Sequence, residues 1–220
     1  KTYDGNANAT LNTSSVVFNG MAAGGSLSLG NGVTGAFSGR NAGTGKTVTI
    51  SGLMLDGTDA GNYTLALDTA TTTADITKAT ISSITGITAA GKIYDGNTSV
   101  VLNTSGAGFS GMVGGDVLTV ATSTGAFSDK NAGTKVVNIS GLTLGGADAG
   151  NYTLALDTAT TTADIARATI SSITGITANN KTYNGNTTAV LNTSGAGFTG
   201  MIAADTLTVA TSTGAFSDKN

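Results

Sequence analysis

Residues 117–122 alternate. Val117, Thr119 and Ala121 fall on one face of an extended segment, and Leu118, Val120 and Thr122 on the other. Lys135 to Ile139 alternates too, with Val137 and Ile139 aligned, and Leu142 and Leu144 form a further apolar pair beyond the corner at Gly141. Tyr152, Leu154 and Leu156 share one face of a segment whose other face is Thr153, Ala155 and Asp157. Short strands are also expected at Ser99 to Leu102 and Thr160 to Ile165. Between them lie turn signals: Asp95-Gly96, Gly114-Gly115, 129–133 and Gly145-Gly146. The one helical expectation is a short turn at 146–150, opened by an Asp148 cap and ended at Gly150.

This pattern is repeated along the chain. Tyr3-Asp4-Gly5-Asn6 returns as Tyr94-Asp95-Gly96-Asn97 and as Tyr183-Asn184-Gly185-Asn186, at offsets of 91 and 89 residues. Residues 92–131 match 181–220 at 31 of 40 positions, and 52–91 match 141–180 at 33 of 40. Such a period exceeds a solenoid rung, roughly 20–50 residues, and suits a small β-domain. The reading is therefore tandem domains: 1–80, lacking its leading strand; 81–169, complete; and 170–220, the first half of a third copy. Each copy is expected to be all-β, a sandwich or β-grasp-like layer of six to eight short strands. The junction 163–173 contains neither Gly nor Pro, so it is expected to run extended and join copies stiffly, end to end, as a rod. Every Tyr and Phe falls on the period, which favours core and corner roles over an exposed platform for sugar rings.

Composition sharpens the β reading. The 220 residues include 41 Thr, 33 Gly, 31 Ala, 19 Ser and 18 Asn. Glu, Gln, His, Cys, Trp and Pro are absent, which removes imidazole bases, thiolate nucleophiles, disulfides and His or Cys metal ligands. The net charge of −3 gives no basic footprint for nucleic acid, and no apolar run approaches the ~18 residues of a membrane span. The opening Lys1-Thr2-Tyr3-Asp4-Gly5 reads as the interior of a longer chain rather than a signal peptide.

Taken in order, Lys92-Ile93-Tyr94-Asp95-Gly96-Asn97, Ile139-Ser140-Gly141-Leu142, Ala147 to Leu154 and Ala163-Asp164-Ile165 resemble the YDG repeat of large bacterial surface and secreted proteins. The resemblance covers the whole chain and departs at Asn184. It implies an extracellular tandem β stalk of the filamentous-haemagglutinin-like adhesin or biofilm-matrix type, with no known ligand and no catalytic residue.

No residue is singled out as catalytic, cofactor-binding or metal-binding. Asp95 becomes Asn184 and Asp56 becomes Gly145 from copy to copy, which argues against carboxylate catalysis. Asp148 with Asn151, or Asp129 with Asn131, has the oxygen chemistry for a structural calcium, but the same residues also serve their own turns. Lys135, matched by Lys46, is the candidate for a covalent isopeptide staple. The expected partners are neighbouring copies of the repeat, with lateral self-association through Thr-rich edges such as 160–162. A repeated weak carbohydrate- or protein-binding module acting by avidity is the alternative.

Overall fold

The computed structural model describes residues 1–219; Asn220 lies outside the described residues. The fold is all-β, built from small domains. Among the described residues, helix is confined to two three-residue 3-10 turns, Ala60–Asn62 and Ala149–Asn151. Among the described residues no helix is long and apolar enough to cross a membrane. The chain forms two compact units. One gathers Lys1–Ile87, Thr104–Ser123 and Ser140–Ala159; the other gathers Thr88–Asn103, Thr124–Ile139 and Thr160–Asn220. Each unit thus contains residues of successive copies.

The first unit holds an antiparallel sheet in the order Asn8–Ala9, Thr34–Phe37, Gly43–Ser51, Thr69–Ile76. Alternation sends Val48 inward, paired across strands with Phe37, whereas the edge strand Thr69–Ile76 is exposed on both faces as far as its buried last residue. Gly45, which has no counterpart in the second copy, is absorbed as a break in register between Gly43 and Lys46, with φ at +59°.

Two further pairings complete this unit. Ala79–Ile81 runs parallel to Tyr152–Leu154, and Ser83–Thr85 runs antiparallel to Gly108–Ser110. The leading segment therefore changes partner at Ser82. That change lets Ile81, Ile84 and Ile87, three residues apart, all reach the interior, although strict alternation would separate them. Burial of each contributes about 1.5–3 kcal/mol.

In the second unit the strand order is Lys92–Ile93, Ala159–Ala166, Gly133–Gly145, Thr119–Phe127, with Lys92–Ile93 parallel to Ile165–Ala166. Residues 119–123, 140–145 and 159 of these strands belong to the first unit. Phe127, Val137, Ile139 and Ile165 are buried. The third copy adds the pairs Ser172–Thr174 with Gly197–Thr199, Thr177–Ala178 with Leu191–Asn192, and Thr188–Ala189 with Gly214–Ala215.

Several details differ from the sequence pattern. Gly133–Gly145 is one strand of 13 residues that continues through Gly141 at φ +65°, where a corner was expected. Leu156 is exposed, because its strand ends at Leu154. The helical turn expected over 146–150 is the three-residue Ala149–Asn151, without a side-chain cap from Asp148. The extended junction is regular strand only to Ala166 and again from Ser172.

Candidate functional site: a buried tyrosine–aspartate clasp

Among the described residues the buried polar side chains are Asp116 and Asn151, both in the first unit and both engaged with residues of the preceding copy. Asp116 closes a turn that its own sequence dictates. Val113-Gly114-Gly115-Asp116 folds back with the Asp116 N–H donating to the Val113 carbonyl at 3.2 Å, and Gly115 supplies φ +90°. The carboxylate is then delivered between two phenols. Tyr152 Oη donates to Asp116 Oδ2 at 2.6 Å, and Tyr3 Oη donates to the same oxygen at 2.8 Å. The two rings meet edge to face, with centroids 5.5 Å apart and planes at 78°. Arg40 Nη1 lies 3.1 Å from Asp116 Oδ1, and its Nη2 lies 2.9 Å from Asp148 Oδ1. Tyr3 and Arg40 come from the first copy; Asp116, Asp148 and Tyr152 come from the second.

The electrostatics follow from this set. Burial alone would raise the Asp116 carboxyl. The hydroxyls of Tyr152 and Tyr3 and the Arg40 guanidinium outweigh it and hold the group below the ordinary aspartate value. Burial first, and then the bond to Asp116, pushes the Tyr3 hydroxyl up to about 12. Tyr152 is raised by the same two causes. The site is thus a carboxylate held charged by neutral phenols and one cation. Its chemistry is recognition between copies.

Flanking contacts extend the clasp. Asn151 Oδ1 accepts from the Ala42 N–H at 2.9 Å, and Asn151 Nδ2 donates to Asn41 Oδ1 at 3.3 Å. Gly5, at φ +81°, leaves room that a Cβ would lack, since it would stand 2.8 Å from Val113 Cγ1. Val113 in turn donates its N–H to Tyr152 Oη at 2.9 Å.

The same joint recurs between the second and third copies, inside the second unit. Tyr94 Oη donates to Asp205 Oδ1 at 2.8 Å, Lys130 Nζ stands 3.8 Å from that oxygen, and a Cβ on Gly96 would lie 3.1 Å from Ile202 Cγ2. The Asp205 bond, and secondarily burial, raise Tyr94. Tyr3, Arg40 and Asp116 of the first joint correspond to Tyr94, Lys130 and Asp205 of the second.

The Lys-x-Tyr-Asp-Gly-Asn signature is now legible residue by residue. Its Lys forms a clip: Lys92 Nζ donates to Asp95 Oδ1 at 2.7 Å and to Asn97 O and Oδ1 at 2.8 Å, and stands 5.6 Å from the Phe127 ring centroid. Lys1 and Lys181 repeat the clip with Asp4, Asn6 and Phe37 and with Asn184, Asn186 and Phe216. Asn184 offers the same acceptor oxygen as Asp95, so the departure of the third copy leaves the clip intact. The Lys bonds, foremost, hold Asp4 and Asp95 below the ordinary carboxylate value.

The residues weighed for other chemistry have protein partners. Asp148 is bound to Arg40 and also accepts the Val117 N–H at 2.9 Å. Asp129 pairs with Lys135 at 3.0 Å and accepts the Asn131 N–H at 2.8 Å. Tyr3, Phe37, Phe127 and Tyr152 are buried, Tyr94 and Phe109 are half-buried, and Tyr183 and Phe216 of the third copy are exposed. Sequence reasoning missed Asp116. Its signal was the recurrence of Asp205 at the matching position, obscured because the first copy carries Gly25 there.

The family model described as YDG domain matches residues 1–74, 77–163 and 166–220. No curated protein and no solved structure matches the chain.

Proposed function

The chain belongs to the YDG domain family, and from that premise we propose that its copies are non-catalytic spacer units of an extracellular bacterial stalk or matrix fibre, each locked to the next. The observation that carries this reading is the clasp. One copy's Tyr and basic residue reach the next copy's buried or half-buried Asp, at both joints. A residue set spent on holding neighbours together suits a load-carrying repeat. The bacterial surface setting and the adhesin or biofilm context rest on the resemblance of the repeated motifs.

Small-angle scattering on arrays of two, three and four copies tests the reading. Clasped copies give a maximum dimension that grows almost linearly with copy number. Growth nearer the square root, the behaviour of flexible linkers, would mean that the joints are hinges, and a hinged chain cannot hold a tip away from a surface.

A further inference from the structure

The sheets of the first and second copies end on strands of the same sequence. Thr69–Ile76 closes the sheet of the first unit, with Gly43–Ser51 as its neighbour. In the sheet of the second unit Ala159–Ala166 lies beyond Gly133–Gly145, and on its other side Lys92–Ile93 reaches only Ile165 and Ala166. The leading segment 79–89 of the second copy pairs elsewhere, with Tyr152–Leu154, Gly108–Ser110 and Leu102–Asn103. The edge 159–164 is therefore open with a complete copy around it.

The direction of the backbone hydrogen bonds shows which groups are left over. The Tyr94 N–H donates to the Ala166 carbonyl at 2.8 Å, on the side away from Gly133–Gly145. Successive residues of a strand point their backbone groups to opposite sides, so Thr160 and Thr162 turn theirs the same way as Ala166, where no described strand meets them. In the first copy the Tyr3 N–H donates to the Thr77 carbonyl at 2.8 Å, and Thr71 and Thr73 face outward by the same rule.

Open edges are ordinarily guarded by lysine, proline, a bulge or an inward-pointing charge. Residues 69–75 and 158–164 are both Thr-Ala-Thr-Thr-Thr-Ala-Asp, with neither Lys nor Pro. Their one charge is turned back on the parent sheet: Asp75 Oδ1 accepts the Gly45 N–H at 2.7 Å, and Asp164 Oδ1 accepts the Thr134 hydroxyl at 2.6 Å. The segment also reads almost identically in both directions. Ala70 and Ala74, and Thr71 and Thr73, are symmetric about Thr72, as their counterparts are about Thr161. A second such strand laid antiparallel therefore sets like on like, with no charge opposite a charge. Threonines already meet across strands within this chain, Thr122 Oγ1 lying 2.6 Å from Thr143 Oγ1.

We propose that these edges bind one another between molecules, either edge of one chain adding antiparallel to either edge of a second copy of the chain. The two-fold axis passes through Thr72, or through its equivalent Thr161. Thr71 and Thr73 of one edge exchange backbone hydrogen bonds with Thr73 and Thr71 of the other, and Thr69 faces Asp75. Thr72 meets its counterpart at the non-hydrogen-bonded position, with Cα atoms about 4.5 Å apart. Each contact is isologous, and a chain with two such edges can join more than one neighbour. Pairing of this kind links chains side by side. It is independent of the stalk reading, which concerns joints within one molecule.

Sedimentation of the whole chain over a concentration series tests the proposal, and reversible association is the expected result. Thr72→Lys together with Thr161→Lys sets ammonium against ammonium at the axis and should keep the chain monomeric. Thr72→Asp together with Thr161→Asp should do the same. An equimolar mixture of the two variants should associate again, which separates loss of pairing from loss of fold. The chain has no cysteine, so the register can be trapped. Thr72→Cys with Thr161→Cys should give disulfide-linked dimers on air oxidation. Thr69→Cys with Thr158→Cys should not, because in this register like positions lie roughly 20 Å apart. A chain that stays monomeric at its highest soluble concentration overturns the proposal. So does association that survives the Lys substitutions, a Lys–Asp mixture that stays monomeric, or equal cross-linking by the two Cys variants.

Discussion

Replacing Asp116 by Asn keeps the side-chain shape and removes its charge. The Tyr3 and Tyr152 hydroxyls then compete for one neutral amide oxygen, and Arg40 loses one of its two carboxylates. Hydrogen bonds to charged groups are worth about 1.5–3 kcal/mol, and breaking a buried ion pair costs about 3–5. Asp116→Asn should therefore lower the stability of the whole chain by about 2–4 kcal/mol in urea unfolding. Asp205→Asn should cost less, because the Asp205 side chain is 25% exposed and its cation is 3.8 Å away. Equal effects at the two positions would show that burial does not set the strength of the joint. The pH dependence has two limbs. Asp116 is depressed, so its contribution is present above the usual aspartate value of about 4 and is lost as pH falls through its lower folded value. Tyr3 is raised, so its contribution is complete below pH ~10 and is lost as pH rises towards about 12. Thermal melts from pH 8 to 12 should show this alkaline loss, and Tyr3→Phe should blunt it. A Tyr3→Phe melt with an undiminished alkaline limb would place the loss elsewhere.

At the scale of the element, sequence pattern read the interior of strands well and their ends poorly. Leu118, Val137, Ile139 and Tyr152 point inward as alternation requires. The end of Gly133–Gly145 was misjudged because Gly141 looks like a stop; in the sheet its φ of +65° is accommodated without ending the strand. Asp148 looked like a helix cap, yet its carboxylate is taken by Arg40, 108 residues earlier. No local rule can see a partner at that separation. The clasp was hidden for the same reason: Tyr3 and Asp116 are 113 residues apart. Glycines show the limits of composition too. Gly86 and Gly185 both have positive φ, +74° and +78°, but a Cβ on Gly86 would lie 2.2 Å from the Gly106 carbonyl oxygen, while nothing lies within 4 Å of one on Gly185. Gly185→Ala should cost only the left-handed backbone penalty, about 1–2 kcal/mol. Gly86→Ala must also push the turn at Gly106 away from the leading segment and should cost clearly more. Chemical denaturation of the two variants checks the order, and a larger loss at Gly185 would contradict the close approach at Gly86.

For the whole molecule, what matters is that sequence copies and compact units are not the same thing. The first unit takes Tyr3, Phe37, Val48 and Ile76 from one copy and Leu118, Leu142 and Tyr152 from the next. A copy's stability therefore includes what its neighbour supplies. Independent beads on a string would melt at one temperature whatever their number. Coupled repeats behave otherwise: total stability is a sum of intrinsic and nearest-neighbour contributions, so each added joint raises it. Each joint here brings one Tyr–Asp bond, a cation beside that Asp and a glycine packed on the next copy's Val113 or Ile202. With roughly 1 kcal/mol shifting the melting point of a 60–100-residue domain by about 4–8 °C, arrays of one, two, three and four copies should melt at successively higher temperatures, the increments shrinking as end copies become a minority. Asp116→Asn and its counterparts at every joint should flatten that series. If the unmutated arrays all melt together, the clasp carries no coupling between copies, and the bonds at Asp116 and Asp205 serve only to satisfy their own polar groups.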